Sequence, residues 1–273
     1  MRIRSLILSA AVLALAHANQ SPAADLPIVR NVPSAIVAQY NWTGFFAGVH
    51  AGYGWSSSNV SVGVADPLNL ATAAVLDGAF ALRYSLKRDG YVAGGQVGYN
   101  HQIDRWLLGV EADIAASGIQ GNQMVFTPRC PNLCGSPNLS GITQGMDWFG
   151  TVRGRLGAVA NNWLFYGTAG VAFGDVKYTY WQNNAIFGLG GTINTFGADS
   201  KTRAGWTAGG GIEYGFGRWS AKVEYLYFDL GEHPVIVPLN TAPTLIQFIP
   251  KFQNNGSIVR AGLNYRFAGA PLP

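Results

Sequence analysis

Residues 42–56, WTGFFAGVHAGYGWS, alternate between two kinds of side chain. Apart from Thr43, the odd-numbered residues are apolar, and they include the aromatic residues Phe45, Tyr53 and Trp55. The even-numbered residues are mostly glycine, with a single histidine, His50. A period of two is typical of a β-strand. A strand of a soluble sheet would carry polar side chains opposite its apolar face. Here the opposite face carries small residues, mostly glycine, rather than charged ones.

The same period recurs in seven further segments. These are residues 90–103, 106–116, 148–158, 163–176, 203–216, 219–230 and 257–267. In most of them aromatic and aliphatic residues share one face, and charged or amide residues share the other. In 106–116, for example, Trp106 and Leu108 lie opposite Glu111 and Asp113. Both faces of 163–176 are apolar, so the pattern does not assign them.

The connections between these segments alternate strictly between long and short. Three are two-residue turns, at 104–105, 161–162 and 217–218, and four are long segments, at 57–88, 118–146, 178–202 and 231–255. Bacterial outer-membrane barrels have this asymmetry, with short periplasmic turns, long extracellular loops and an even number of strands. We therefore predict an all-β fold over 42–267, an eight-stranded antiparallel up-and-down transmembrane β-barrel with both termini in the periplasm.

The composition agrees with a barrel in lipid. Charged residues make up 12% of the chain, about half the usual fraction, and beyond the N-terminus no apolar run is long enough for a spanning helix. Aromatic residues gather at strand ends, as in interfacial girdles; they are Trp55, Trp106, Trp163, Trp219 and Phe267. A soluble lipocalin-like barrel or sandwich would explain the alternation, but not charges that consistently lie opposite the aromatic face.

The N-terminus has the layout of a secretory signal peptide. Arg2 and Arg4 precede an apolar run at 6–16, and small residues follow it. We predict a signal peptide at 1–24, cleaved after Ala18 or Ala24, because the run is shorter than the roughly 20 residues of a membrane anchor. Residues 25–41 are then a periplasmic N-terminal segment, and 268–273 form a C-terminal tail.

Charged side chains on the inward faces predict a network in the barrel interior. They are Glu111, Asp113, Arg153, Arg155, Glu213, Lys222, Glu224, Arg260 and Arg266. An eight-stranded barrel is just wide enough for side chains to fill, and buried charges are tolerated when they are paired. Because acids and bases nearly balance, we predict a compensated polar core that includes His50; a narrow pore lined by charged rings is the alternative. The inward glycines of 42–56 should leave space for inward arginines, including Arg260.

Catalytic and cofactor chemistry are not predicted. The one histidine at an extracellular strand end, His233, lies beside Asp229 and Glu232, a composition common in ordinary loops. Cys130 and Cys134 more plausibly form a disulfide than a zinc site, since two thiols without a nearby histidine cannot complete a tetrahedral site. The net charge of +4 includes Arg2 and Arg4 and is too small to indicate a nucleic-acid partner.

Several stretches resemble the opacity-protein-like porin family of small alphaproteobacterial outer-membrane β-barrel proteins, which includes the outer-membrane immunogenic proteins. They are NWTGFFAGVHAGYGW, GGQVGYNHQ, LLGVEADI, TVRGRLG and VRAGLNYRF. The resemblance covers essentially the whole mature chain and implies roles in membrane integrity and as a surface antigen, without a catalytic residue. We expect a structural, surface-presenting protein; a weakly conducting channel and loop-mediated adhesion are the alternatives.

The resemblance also implies partners. RAGLNYRF looks like the C-terminal signal that the barrel-assembly machinery recognises, with Gly262, Tyr265 and Phe267 at the expected spacing. Phe267 is not terminal, however, because AGAPLP follows it. The other expected partners are outer-membrane lipid and lipopolysaccharide. Any extracellular ligand of the loops stays unidentified.

Overall fold

The computed structural model describes residues 40–69, 75, 78–127, 138–186, 191–240 and 246–267. The predicted signal peptide, nearly all of the N-terminal segment, the cysteine pair and the C-terminal tail lie outside these residues. Among the residues described, no helix has the length and apolar character needed to cross a membrane.

Eight long antiparallel strands and one two-residue strand form a closed sheet. They are β1 (Gly44–Ala65), β2 (Arg83–Ile103), β3 (Trp106–Thr127), β4 (Asn138–Ala160), β5 (Trp163–Ile186), β6 (Gly191–Phe216), β7 (Trp219–Pro234), β8 (Val237–Pro238) and β9 (Gln247–Arg266). Each strand from β1 to β6 pairs with the strand that follows it, β7 pairs with β9, and β9 pairs with β1. The predicted up-and-down barrel is confirmed, and β8 adds a short pairing to β9.

Two-residue turns connect the strands at the periplasmic end. Their first residues, Asp104, Asn161 and Gly217, all have positive φ, at 53°, 55° and 61°. Asp, Asn and Gly are the residues that best tolerate this left-handed conformation. The turns therefore lie where the residue types predict them.

At the other end the strands run beyond their predicted bounds. β1 continues to Ala65 and β2 begins at Arg83, so much of the predicted loop 57–88 is strand. We call these extensions the collar: residues 57–65, 83–89, 117–127, 138–147, 175–186, 191–204, 229–240 and 246–257. The connections between the strands at this end are therefore shorter than the four long segments predicted from the sequence.

The polarity of the two faces reverses where the collar begins. Below it Phe45 and Val49 are 65% and 64% exposed on the outer face, and the inner face is polar. In the collar the outward residues of β1 are Ser57, Asn59 and Ser61, whereas Val60 is buried inside. Lipid surrounds the lower barrel, so its apolar side chains face outward. In the collar β1 exposes polar side chains instead, although Met124, Phe126 and Phe196 of β3 and β6 are exposed there too.

A bulge at the reversal shifts the alternation of β4. The register of β4 with β5 changes between Met146 and Trp148, so Asp147 is an extra residue. Even-numbered residues point inward up to Met146, and odd-numbered residues point inward from Phe149. A second bulge lies between Asp229 and Glu232, where Gly231 has a φ of 76°. These bulges lie at the level where the environment changes from lipid to water.

The inward glycines of β1 provide clearance for the neighbouring strand β9. A methyl group on Gly52 would overlap the Val259 carbonyl oxygen and lie 2.6 Å from Arg260 Cβ. On Gly48 it would overlap the Leu263 carbonyl oxygen and Asn264 Oδ1. The clearance predicted for Arg260 is thus provided by Gly52, its direct partner in the register.

A buried cation bridges an interruption in the seam between β1 and β9. The ladder extends up to Trp55 and Ser257 and resumes at Ser61 and Lys251. Between these pairs, Arg88 of β2 donates to Ser56 Oγ at 2.8 Å and to the carbonyl oxygens of Gln253 and Asn255 at 3.1 and 3.2 Å. Burial lowers the pKa of Arg88 to about 10, so the guanidinium stays protonated at neutral pH. Arg88 therefore supplies donors where the backbone ladder is interrupted.

We predict that Gly52→Ala destabilises the barrel by about 1–3 kcal/mol, because the new methyl meets backbone that cannot move aside cheaply. Gly154→Ala is the control, since its Cβ would have its nearest neighbour, the Ala169 carbonyl oxygen, at 3.9 Å. Urea unfolding of refolded protein and heat-modifiable gel mobility measure the effect. Equal stability of the two variants would contradict the clearance argument.

We predict that Arg88→Met loosens the seam. Methionine keeps most of the side-chain volume but leaves the Gln253 and Asn255 carbonyl groups without the donors that Arg88 provides, at a cost of about 1–3 kcal/mol. Limited proteolysis should then cut the collar strands of β1 and β9 faster than in the wild type. Arg83→Met, at an exposed position of the same strand, serves as control; identical proteolysis rates would show that Arg88 does not hold the seam.

Candidate functional site

The periplasmic end of the interior is filled by aromatic side chains. Trp42 is fully buried, and its ring lies 4.7 Å from that of Tyr40 in an edge-on arrangement. The Tyr40 hydroxyl donates to the Trp219 carbonyl oxygen at 3.1 Å. The guanidinium of Arg266 lies 4.4 Å from the Tyr40 ring and 5.0 Å from the Trp42 ring, and it donates to the Asn41 carbonyl oxygen. We call Tyr40, Trp42 and Arg266 the aromatic layer.

Above the aromatic layer lie four carboxylates and four cations, which we call the charge layer. They are Glu111, Asp113, Glu213, Glu224, Arg153, Arg155, Lys222 and Arg260. Their side chains have between 0% and 2% of their surface exposed, and their formal charges cancel. Burial of this many charges requires that they compensate one another.

Glu111 accepts contacts from all four cations of the charge layer. Its carboxylate oxygens lie 2.6 Å from Arg153, 2.7 Å from Lys222 and 3.3 Å from Arg155. Arg260 is further away, at 3.5 Å. Arg153 lies directly opposite Glu111 in the register of β3 and β4, whereas Lys222 reaches Glu111 from β7. Glu111 therefore connects strands that are not neighbours in the sheet.

The other three carboxylates complete the charge layer. Arg260 lies 2.7 Å from Glu224 and 3.0 Å from Asp113, and Arg155 lies 2.6 Å from Glu213. Neutral donors occupy further lone pairs on these carboxylates. They are Thr151 on Asp113, Tyr166 on Glu224, and Ser220 and Asn264 on Glu213. Hydrogen bonds and ion pairs together hold each carboxylate in place.

The structure brings eight of the nine predicted lumen charges together. Arg266 lies apart from them, in the aromatic layer. Glu111 contacts Arg153, its cross-strand neighbour on β4, whereas Glu213, opposite Lys222 in the register, makes its ion pair with Arg155 across the interior. His50 lies at the edge of the layer, with Nδ1 2.9 Å from Gln96 Oε1 and Nε2 3.3 Å from the Arg260 guanidinium.

Sequence reasoning missed Tyr166, which lies in the charge layer. Its ring centre is 4.0 Å from the Arg155 guanidinium. Tyr166 belongs to the strand whose faces could not be assigned. The outward placement of Trp163 and Phe165 on the same strand would have indicated that Leu164 and Tyr166 point inward.

Apolar side chains fill most of the collar interior, beside buried polar ones such as Arg88, Gln144 and Gln182. We call these apolar side chains the apolar layer; the sequence pattern did not predict it. Its buried residues include Val60, Leu86, Ile142, Phe248 and Phe252. The signal was available in 57–65, where Val60, Val62 and Val64 alternate with small and polar residues. These valines are even-numbered, whereas the lipid-facing residues of the same strand are odd-numbered. The alternation rule therefore predicts a loop here.

At the extracellular rim, side chains join β6 to β7 where their ladder stops. Backbone pairing ends at Trp206 and Asp229. Beyond it His233 Nε2 lies 2.7 Å from Asp199 Oδ2, and Arg203 donates to the Glu232 carbonyl oxygen at 2.8 Å. The hydrogen bond with His233 holds the pKa of Asp199 below its usual value. His233 thus contacts Asp199 rather than the sequence neighbours Asp229 and Glu232.

The residues of the proposed assembly signal lie near the periplasmic end of β9. Tyr265 and Phe267 are on the outer face with ring centres 5.5 Å apart. Gly262 points inward, where an added Cβ would lie 3.2 Å from Lys222 Cε. Their recognition by the assembly machinery stays a prediction. Within the described residues, no group of three or more His, Cys, Asp or Glu side chains could hold a metal ion.

Comparison with known proteins agrees with this architecture. Residues 7–267 match the family model of the outer membrane protein beta-barrel domain. The chain is 34% identical, over 97% of its own length and the whole of the relative, to the 31 kDa outer-membrane immunogenic protein of Brucella melitensis. It is 33% identical to the 22 kDa outer membrane protein of Rhizobium leguminosarum over 52% of this chain and 54% of that one.

Among solved structures, the outer membrane protein OprG from Pseudomonas aeruginosa aligns with 83% of this chain and 97% of its own, at 13% identity and a TM-score of 0.48. The family match and the Brucella relative confirm the resemblance inferred from the sequence. The chain therefore belongs to the outer membrane protein β-barrel family and is an outer-membrane protein.

Proposed function

We propose that the protein is a closed structural barrel that supports outer-membrane integrity and presents its collar and loops at the cell surface. The observation that carries this proposal is the filling of the interior at three successive levels, by the aromatic layer, the charge layer and the apolar layer. The names of the Brucella relatives, outer-membrane immunogenic proteins, support surface exposure.

The burial and pairing of the charges in the charge layer argue against the alternative of a narrow channel. A conducting path needs water around the charges that line it, as in the polar lumen of porins. Here the Glu111 and Arg153 side chains have no exposed surface and bind each other at 2.6 Å. An ion would have to displace these contacts to pass, so the network supports a plug.

The length of the collar supports surface presentation. β1 continues from Trp55, at the outer aromatic boundary, to Ala65. Ten residues at about 3.3 Å each, tilted by roughly 40°, raise the strand end by about 25 Å. The apolar layer makes this extension a packed structure. Loop-mediated adhesion remains compatible with it as a further role.

A non-enzymatic role is part of the proposal. The two inward histidines with described contacts are both engaged. His50 is held by Gln96 and Arg260, and His233 by Asp199. Tyr178 also packs on the His233 ring, with centres 4.9 Å apart. These contacts support structural roles for both side chains.

We predict that the refolded wild-type protein shows no stable porin-sized openings in a planar bilayer. Arg153→Ala removes a cation that contacts Glu111, Asp113 and Glu224. It should cost about 3–5 kcal/mol of stability and produce cation-selective openings, because uncompensated carboxylates then attract water and cations.

The matched control is Arg105→Ala, which removes an exposed arginine from a periplasmic turn and should leave both conductance and stability unchanged. Heat-modifiable gel mobility verifies that each variant is folded before recording. Stable openings of porin size from the wild type would refute the closed barrel. If Arg153→Ala does not fold, a silent wild-type recording still tests the proposal.

A further inference from the structure

Backbone pairing between β6 and β7 stops inside the collar. The last ladder pair of these strands joins Trp206 to Asp229. Above it β6 stays paired with β5 up to Gly191, and β7 stays paired with β9 up to Pro234. Residues 198–205 of β6 and 230–234 of β7 therefore lie beside each other without a ladder pair between them. We call these two stretches the rim junction.

Side chains cross the rim junction in place of the ladder. His233 Nε2 of β7 lies 2.7 Å from Asp199 Oδ2 of β6. Arg203 of β6 donates to the Glu232 carbonyl oxygen of β7 at 2.8 Å. Because ladder hydrogen bonds do not hold these stretches together, the strength of the two side-chain contacts determines how easily the junction opens.

The imidazole of His233 is held in place, and its partner is accessible to water. The His233 side chain has 10% of its surface exposed, and the Asp199 side chain has 43%. The ring of Tyr178 on β5 packs against the imidazole, with centres 4.9 Å apart. The Tyr178 hydroxyl in turn donates to Asn254 Oδ1 on β9 at 2.8 Å. The imidazole is thus fixed from inside the collar, and protons from solvent reach the pair from the Asp199 side.

Charged groups on β2, β5, β6, β7 and β9 surround this pair. They are Arg88, Asp175, Lys177, Lys201, Arg203, Asp229, Glu232 and Lys251. The hydrogen bond with His233 holds the pKa of Asp199 below its usual value, and burial raises the pKa of Tyr178 to about 12. The carboxylate is therefore charged and the phenol neutral at neutral pH. Histidine is the side chain whose ordinary charge change falls between about pH 5 and 8, so His233 is the member of this cluster that responds in that range.

We propose that the His233–Asp199 pair is a pH-sensitive link in the collar, which joins β6 to β7 more firmly when His233 is protonated. With a neutral imidazole the contact is a hydrogen bond; with a charged imidazole it is also an ion pair, and Coulomb attraction is added. The added stability is present in acid and is lost as the pH rises and the imidazole loses its proton. The rim junction therefore opens more readily at neutral pH than in acid surroundings. This proposal concerns the collar and is independent of whether the barrel conducts.

The test measures hydrogen–deuterium exchange of the refolded mature protein in detergent by mass spectrometry, at about pH 5.5 and about pH 7.5. The readout is the exchange rate of residues 198–205 in His233→Gln divided by that in the wild type. The sequence of this stretch is the same in both proteins, so the intrinsic exchange rate cancels at each pH. Glutamine can still donate to Asp199 but cannot acquire a charge. The ratio should be about three- to tenfold larger at the lower pH, whereas a loss of packing alone would raise it equally at both.

The matched control is His101→Gln, which removes an exposed histidine near a periplasmic turn and should give the same ratio at both pH values. Asp199→Asn provides a second arm, read out at residues 230–234, and its ratio should again be larger in acid. Heat-modifiable mobility confirms that each protein is folded. A ratio for His233→Gln that does not change with pH, or an equal change in His101→Gln, would overturn the proposal. If His233→Gln does not fold, Asp199→Asn, at an exposed side chain, decides the question.

Discussion

Closure of the sheet is the constraint on which the rest of this structure depends. In lipid every backbone donor and acceptor must be satisfied within the protein, so β9 has to return to β1. The closing register places Arg260 opposite Gly52 on β1 and opposite Glu224 on β7, with which it forms an ion pair. Arg260 also reaches Asp113 of β3 across the interior. A methyl group at Gly52 would obstruct this approach. The backbone pairing that closes the barrel and the ion pairs that fill it are thus parts of one arrangement.

Each strand also has to serve two solvents. Below the outer aromatic boundary the apolar side chains face lipid and the polar ones are buried; above it this relation is reversed. A strand can exchange its apolar and polar faces by a change of residue types alone. In β1 the odd-numbered residues point outward throughout, but they change from apolar to polar between Trp55 and Val60. It can also shift phase with an extra residue, as β4 does at Asp147. The bulges therefore allow continuous strands to pass from lipid into water.

This reversal explains how much of the structure the sequence could predict. The lower barrel, its turns and the inward position of Glu111 and Arg153 follow from alternation with apolar residues outside. The collar was not predicted because its apolar residues point inward, which is the reverse of the pattern in the lower barrel. Segment 148–158 was predicted as the start of a strand because the extra residue Asp147 interrupts the alternation of β4. Arg266 was expected in the charge network, but its position depends on the rings of Tyr40, from the N-terminal segment, and of Trp42. The faces of β5 stayed ambiguous because Leu164 packs inside as an apolar residue.

The distribution of charge separates the interior from the surface of the protein. Inside, four carboxylates and four cations neutralise one another at contact distance, which leaves little unbalanced field to attract a solute. On the collar Arg83, Lys87 and Lys251 of the β9–β1–β2 side face outward and are exposed. The charge layer therefore presents no uncompensated formal charge to the interior, and the exposed charges of the described strands and turns lie on the collar and at the periplasmic turns.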